Sequence, residues 1–224
     1  RHVTSHFMKH FALILLFFSL KANCQREFKF ETNCFLLGMF DDYNGRLIAL
    51  EKEESASYIA TVKPEINKMF LDSISKTFNI TKKEIIIKEN SFFNRKIADE
   101  INKFFIAEIN PDVDDYDEKN DISYKIYSLS LDEKKIKSAG QKLSFLTGMF
   151  YNCGSIINDE VVFQTANSSN FYIAIRFISE LGFAYCEDAK PEYNIPTVQK
   201  VTFKPTKEYL NYLKKLTIEK KNGW

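Results

Sequence analysis

Beyond residue 25 the apolar and polar positions follow two periods, about 3.6 residues where a helix would bury one stripe and 2 where a strand would bury one face. The earlier part opens with an apolar helix through Phe35–Phe40. Strands are expected at 46–50 and 57–63, where Tyr58, Ala60 and Val62 alternate with Ile59, Thr61 and Lys63. Ile66, Met69, Phe70, Ile74 and Phe78 then fall at helical spacing over 65–78. Strands at 84–88 and 95–98 follow, and Asp99 is the expected cap of a closing helix over 100–109. The later part repeats this order. It reads as a long helix over 132–152, strands at 155–157 and 161–166, and a helix over 170–181 opened by Ser168-Ser169 and ended by Gly182. Strands at 183–187 and 198–204 come next, and Thr206 caps a helix over 207–216.

The shared order has a sequence counterpart. Phe35-Leu36-Leu37-Gly38-Met39-Phe40 recurs as Phe145-Leu146-Thr147-Gly148-Met149-Phe150, five identities in six residues at an offset of 110. A Tyr-Asn pair, a glycine and an apolar pair follow each copy: Tyr43-Asn44-Gly45 with Leu47-Ile48, and Tyr151-Asn152 and Gly154 with Ile156-Ile157. Self-similarity at long period dictates architecture. The expected fold is therefore α+β, a tandem duplicated α-β-β-α-β-β-α unit with a pseudo-twofold axis between the helices that carry Gly38 and Gly148. The first repeat spans 25–110 and the second 122–224. Between them, 111–121 is an acidic linker, since the twelve residues Asn110–Asp121 hold six acids. That run lacks the glycine of a calcium loop, so a solvated loop is expected.

Residues 1–24 read as a hydrophobic N-terminal segment. Lys9-His10 precede the apolar run Phe11–Leu20, and Ala22-Asn23-Cys24 offers small residues where a signal peptidase would cut. The run is too short to span a bilayer. The protein is exported if the Met8–Cys24 segment is a cleaved signal peptide, and cytoplasmic otherwise. A net charge of +1 does not announce a strongly basic nucleic-acid binder. Outside the linker, the first repeat carries 13 basic and 14 acidic residues and the second 14 and 10, so any nucleic-acid contact leans on the second. Cys34, Cys153 and Cys186 form no C-x-x-C pair, which points to buried free thiols rather than a zinc site or a disulfide framework. All three histidines, His2, His6 and His10, lie in the N-terminal segment, so histidine chemistry is excluded from the core. No phosphate-binding glycine loop or nucleophile elbow occurs, and no small-molecule substrate is indicated.

The repeated motif resembles the LAGLIDADG helices of homing endonucleases, in which two such helices pack closely at the centre of the molecule. The second copy, with its continuation Gly154-Ser155-Ile156, is most similar to the N-terminal domain of WhiA-type regulators, a non-cleaving branch. The resemblance covers about residues 30–217 and implies that Gly38 and Gly148 form the helix interface. WhiA-type regulators also carry a helix-turn-helix domain, which is not expected within these 224 residues.

In the endonucleases an acid at the base of each motif helix holds the Mg²⁺ that activates water. Aligned on the glycines, those positions are Tyr43 and Cys153, so neither is an acid. Asp41 and Asp42 would serve only if the chain were an active endonuclease, the one case in which Mg²⁺ is implied. No catalytic set, metal site or cofactor is otherwise expected. In this fold an open sheet face meets DNA, which implies a nucleic-acid-binding set of Arg46, Lys63, Lys88, Arg95, Lys200 and Lys204. The expectation is a non-catalytic module that binds double-stranded DNA weakly. The alternatives are an exported protein using the scaffold for protein contacts and an active homing endonuclease.

Overall fold

Seven consecutive buried residues, Ser144–Phe150, mark the centre of the molecule. A helix hidden on all sides cannot be amphipathic, and this one is apolar or small around its whole circumference there. In the computed structural model, residues 29–40, 47–50, 58–59, 74–88, 91–166, 168–187 and 198–222 are described. The N-terminal segment 1–24 lies outside them. The chain divides into Arg1–Phe30 and Glu31–Trp224, and the elements below belong to the second unit. No helix among the described residues is long and apolar enough to cross a membrane.

The elements in chain order are α1 (Thr32–Met39), β1 (Leu47–Ile48), β2 (Tyr58–Ile59), β3 (Ile86–Lys88), β4 (Ser91–Phe93), α2 (Arg95–Asn102), β5 (Phe105–Asp117) and β6 (Ile122–Leu131). Then come α3 (Ala139–Cys153), β7 (Gly154–Ile157), β8 (Glu160–Ala166), α4 (Ser169–Glu180), β9 (Ala184–Glu187), β10 (Val198–Lys204) and α5 (Lys207–Asn222). The fold is α+β with antiparallel sheets: β1-β6-β5, β2-β4-β3 and β7-β8-β10-β9.

Helices α1 and α3 cross at their glycines. A Cβ on Gly38 would fall inside the contact radius of the Phe145 carbonyl oxygen, 2.8 Å from its carbon and 3.1 Å from Met149 N. A Cβ on Gly148 would strike the Phe35 carbonyl oxygen in return and stand 2.7 Å from Met39 N. Backbone meets backbone, which only residues without a side chain permit. Polar bonds to α3 and α4 fasten the two ends of α1. Its N-terminus has no side-chain cap of its own, and Glu31 N donates to Ser144 Oγ of α3 at 2.9 Å. At its C-terminus the buried Asn170 of α4 donates through Nδ2 to the carbonyls of Leu37 (2.9 Å) and Phe40 (3.3 Å).

The later part follows the expected order. Ser168 caps α4 by accepting from Phe171 N, and Gly182, at φ +74°, takes the left-handed conformation that ends it. Val161, Phe163, Val201 and Phe203 line the hidden face of the four-stranded sheet, and the rings of Phe163 and Phe203 meet edge-on at 5.2 Å. Phe145 and Phe177 do the same between α3 and α4. Helix α5 is locked to α3 by Tyr209, whose hydroxyl donates to the Leu143 carbonyl and lies 3.0 Å from Thr147 Oγ1.

Several expected elements are corrected. The expected long helix over 132–152 is a short 3-10 turn at Glu133–Lys135 and then α3. Ser138 and Gln141 form a reciprocal capping box that starts the helix afresh. The stretch 95–98, expected as a strand, is the first turn of α2, and Asn94 rather than Asp99 is its cap. Asn94 Oδ1 accepts from Ile97 N while its Nδ2 donates to the Glu84 carbonyl, so one buried amide satisfies two segments. Of the expected helix over 100–109, residues 100–102 complete α2, while 105–109 and the expected acidic linker 111–121 lie in the β5–β6 hairpin. Its register shifts between Ile109 and Asp114, where Pro111 lacks the N–H that a ladder needs and Asn110 Oδ1 accepts from Asp112 N. Asp117 closes the turn, accepting from Lys119 N and from Asn120 N and Nδ2. Of the expected helix over 65–78, residues 74–78 are described and are helical.

Candidate nucleic-acid interface

Strand alternation divides β10 into two faces. Val201 and Phe203 turn into the core, so Val198, Lys200, Thr202 and Lys204 occupy the opposite face. In register beside them stand Ala166, Gln164 and Val162 on β8, and Cys186 and Ala184 on β9. Ser155 and Ile157 continue the face on β7, opposite Val162 and Glu160. Gln164 stands opposite Lys200 and Ala184 opposite Lys204; Lys204 is exposed, Lys200 is partly so, and Val162 on the same face is buried. The negative groups lie at one end, Glu160 and the turn residue Asp159. Lys214 of α5 pairs with Asp159 at 2.5 Å. That hydrogen bond holds the carboxyl below its usual range, with the charges of Lys214 and Lys204 acting in the same direction.

Of the other expected binding residues, Arg95 and Lys88 stand on elements outside this sheet. Arg95 opens helix α2 and pairs through Nε with Asp99 at 3.0 Å, one turn along. Lys88 ends β3 opposite Ser91 in register. Arg46, Lys63, Asp41 and Asp42 lie outside the described residues.

Cys153 is the last residue of α3. Its thiol is half-buried and donates to the Met149 carbonyl at 3.4 Å. The neighbouring Tyr151 packs edge-on against Phe35, and burial raises its pKa. A thiol and a phenol do not suit Mg²⁺, which takes carboxylate, carbonyl and water oxygens. No group of three His, Cys, Asp or Glu able to hold a metal occurs among the described residues. Of the three thiols expected to be buried, Cys34 is buried, Cys153 is half-buried and Cys186 is exposed on β9.

No family model and no curated protein matches the chain. Solved structures do. The likeness is to LAGLIDADG homing endonucleases and to WhiA. Mesophilic variants of the homing endonuclease I-DmoI are 12% identical, over 81% of this chain and 92% of theirs, at a TM-score of 0.42. I-DmoI in complex with DNA and Mn gives 11% identity, 81% and 93% coverage and a TM-score of 0.41. Full-length DUF199/WhiA from Thermotoga maritima gives 11% identity and a TM-score of 0.39, over 84% of this chain and 60% of that one. At such identities this is a likeness of fold outline.

Beside the LAGLIDADG-like helix pair, the structure holds a surface that the sequence reading missed. Residues 105–131 carry seven acids and two lysines, and they form an extended hairpin with Ile106, Ile109, Val113, Tyr116 and Ile122 exposed. The signal available was the alternation along Ile122–Leu131, which buries Ile126 and Leu129 only.

Proposed function

We propose that the chain is a non-catalytic, LAGLIDADG-like nucleic-acid-binding module made of two related halves, which meets double-stranded DNA weakly and mainly through its second half. The observation that carries this reading is the β10 face, where Lys200 and Lys204 stand among Gln164, Thr202 and small side chains. Lysines on such a face neutralise phosphates, and the polar neighbours fit beside a groove without steric bulk. The duplication is supported by the reciprocal glycine contacts of α1 and α3 and by strand order. β2-β4-β3 in the first half and β8-β10-β9 in the second place corresponding strands side by side. Lack of catalysis is supported by Cys153, a thiol engaged with its own helix where a metal-holding carboxylate would be required.

The test is a titration of labelled duplex and single-stranded DNA at low salt. The expected result is weak duplex binding without Mg²⁺-dependent cleavage. If no nucleic acid binds at low salt, the reading fails. Specific cutting that disappears in Asp42→Asn would instead establish the endonuclease.

A further inference from the structure

We infer that the β5–β6 hairpin is an arm for a second copy of this chain, laid across the β10 face of its partner in a reciprocal, twofold dimer. A strand of thirteen residues is about 40 Å long. Among the described residues, the hairpin joins the rest of its sheet through β1, a two-residue strand that pairs with β6 at Ser128 and Tyr127. Exposed apolar side chains run along it, with Ile106 45%, Ile109 55% and Tyr116 57% exposed, a density unusual for an unpartnered surface. The same arm carries Glu108, Asp112, Asp114 and Glu118, all exposed.

The complementary surface is on the same molecule. The β10 face combines Lys200 and Lys204 with exposed apolar residues at its margins, Val198 at 57% and Ile157 at 54%. An acidic, apolar arm fits a basic, apolar face in charge and in character. Because one chain carries both, each copy can offer its arm and receive the other's, the isologous arrangement of a closed dimer. Where the function proposed above holds, the arm covers the surface that DNA would use, so self-association and duplex binding compete. That competition rests on the functional reading, whereas the dimer does not.

The experiment is sedimentation velocity of the full chain at about 50 mM and about 500 mM salt, where screening lengths differ about threefold. The expected result is twice the chain mass of 26.2 kDa at low salt and one chain mass at high salt. An arm variant with Glu108→Gln, Asp112→Asn, Asp114→Asn and Glu118→Gln should be monomeric at both, and so should Lys200→Gln with Lys204→Gln. Mixed, the two variants should re-associate at low salt, since the mixture pairs one intact arm with one intact face. A monomeric wild-type chain at low salt overturns the inference, as does a dimer unmoved by either variant or a mixture that fails to associate. The arm variant should also bind duplex more tightly than the wild type. A dimer that needs both surfaces while neither protein binds DNA upholds the arm and removes the functional reading. Duplex binding by a chain that never dimerises does the reverse.

Discussion

Strands β8 and β10 and strands β5 and β6 are both antiparallel pairs, yet they make opposite structures. Over fourteen residues the first pair buries Val161, Val162, Phe163, Val201 and Phe203. Over twenty-three the second buries Ile126 and Leu129. The β8–β10 pair has α3 and α4 behind it, with Phe145, Phe171 and Phe177 filling the space. Most apolar side chains of the hairpin stay exposed or half-buried. Backbone pairing alone does not stabilise a sheet, because its hydrogen bonds replace ones that water would make. Burial of one face supplies the difference. The hairpin is accordingly the part of the molecule expected to open first, and its amides should exchange with solvent well before those of β8 and β10.

The largest way to disturb this contrast is at the helix crossing from which the second sheet takes its support. Gly148→Leu or Gly38→Leu should exceed the about 1–3 kcal/mol usual for overpacking, and exceed every substitution below, because the obstruction is backbone that cannot rotate away. Denaturant unfolding would measure it, and a variant as stable as the wild type would mean the helices do not meet there. Next is the direct comparison of strands. Measured on the monomer at high salt, Phe163→Ala should cost about 3–5 kcal/mol, while Ile106→Ala on the hairpin should stay within about 0.5 kcal/mol. Equal effects would show that the hairpin is packed in solution.

Smaller still is the tie between α4 and the end of α1. Asn170→Leu removes the buried donor to the Leu37 and Phe40 carbonyls and should cost about 1–3 kcal/mol. The smallest effect is in acid. Asp159 has a lowered pKa in the folded state, so its pairing with Lys214 contributes stability above the unfolded carboxyl pKa. That contribution is lost as pH falls through the folded value. Lys214→Met should return the Asp159 titration, followed by NMR, toward the ordinary carboxylate range.

What could be read in advance follows the same division. In the second half, apolar alternation and burial coincide, so β8, β10 and α4 appear with their caps Ser168 and Thr206. Lys200 and Lys204 were legible as outward-facing for the same reason. Two helix starts were missed although their caps are local: Asn94 ahead of Arg95, and Ser138 with Gln141 three residues on. The acidic run misled because a strand exposed on both faces shows no apolar period, and acids then look like a loop. Arg95, expected on a strand over 95–98, stands on a helix, paired with Asp99.

The central claim is that the β10 face meets phosphates, and its most direct measurement is the salt dependence of duplex affinity for the wild type and for Lys200→Gln with Lys204→Gln. Each phosphate contact contributes about 0.9 to the slope of log K against log salt. The account predicts that the double variant flattens the slope by up to about 1.8, with a further decrease on adding Lys63→Gln and Lys88→Gln if those residues share the contact. Identical slopes for the wild type and the Lys200 and Lys204 variant would contradict it.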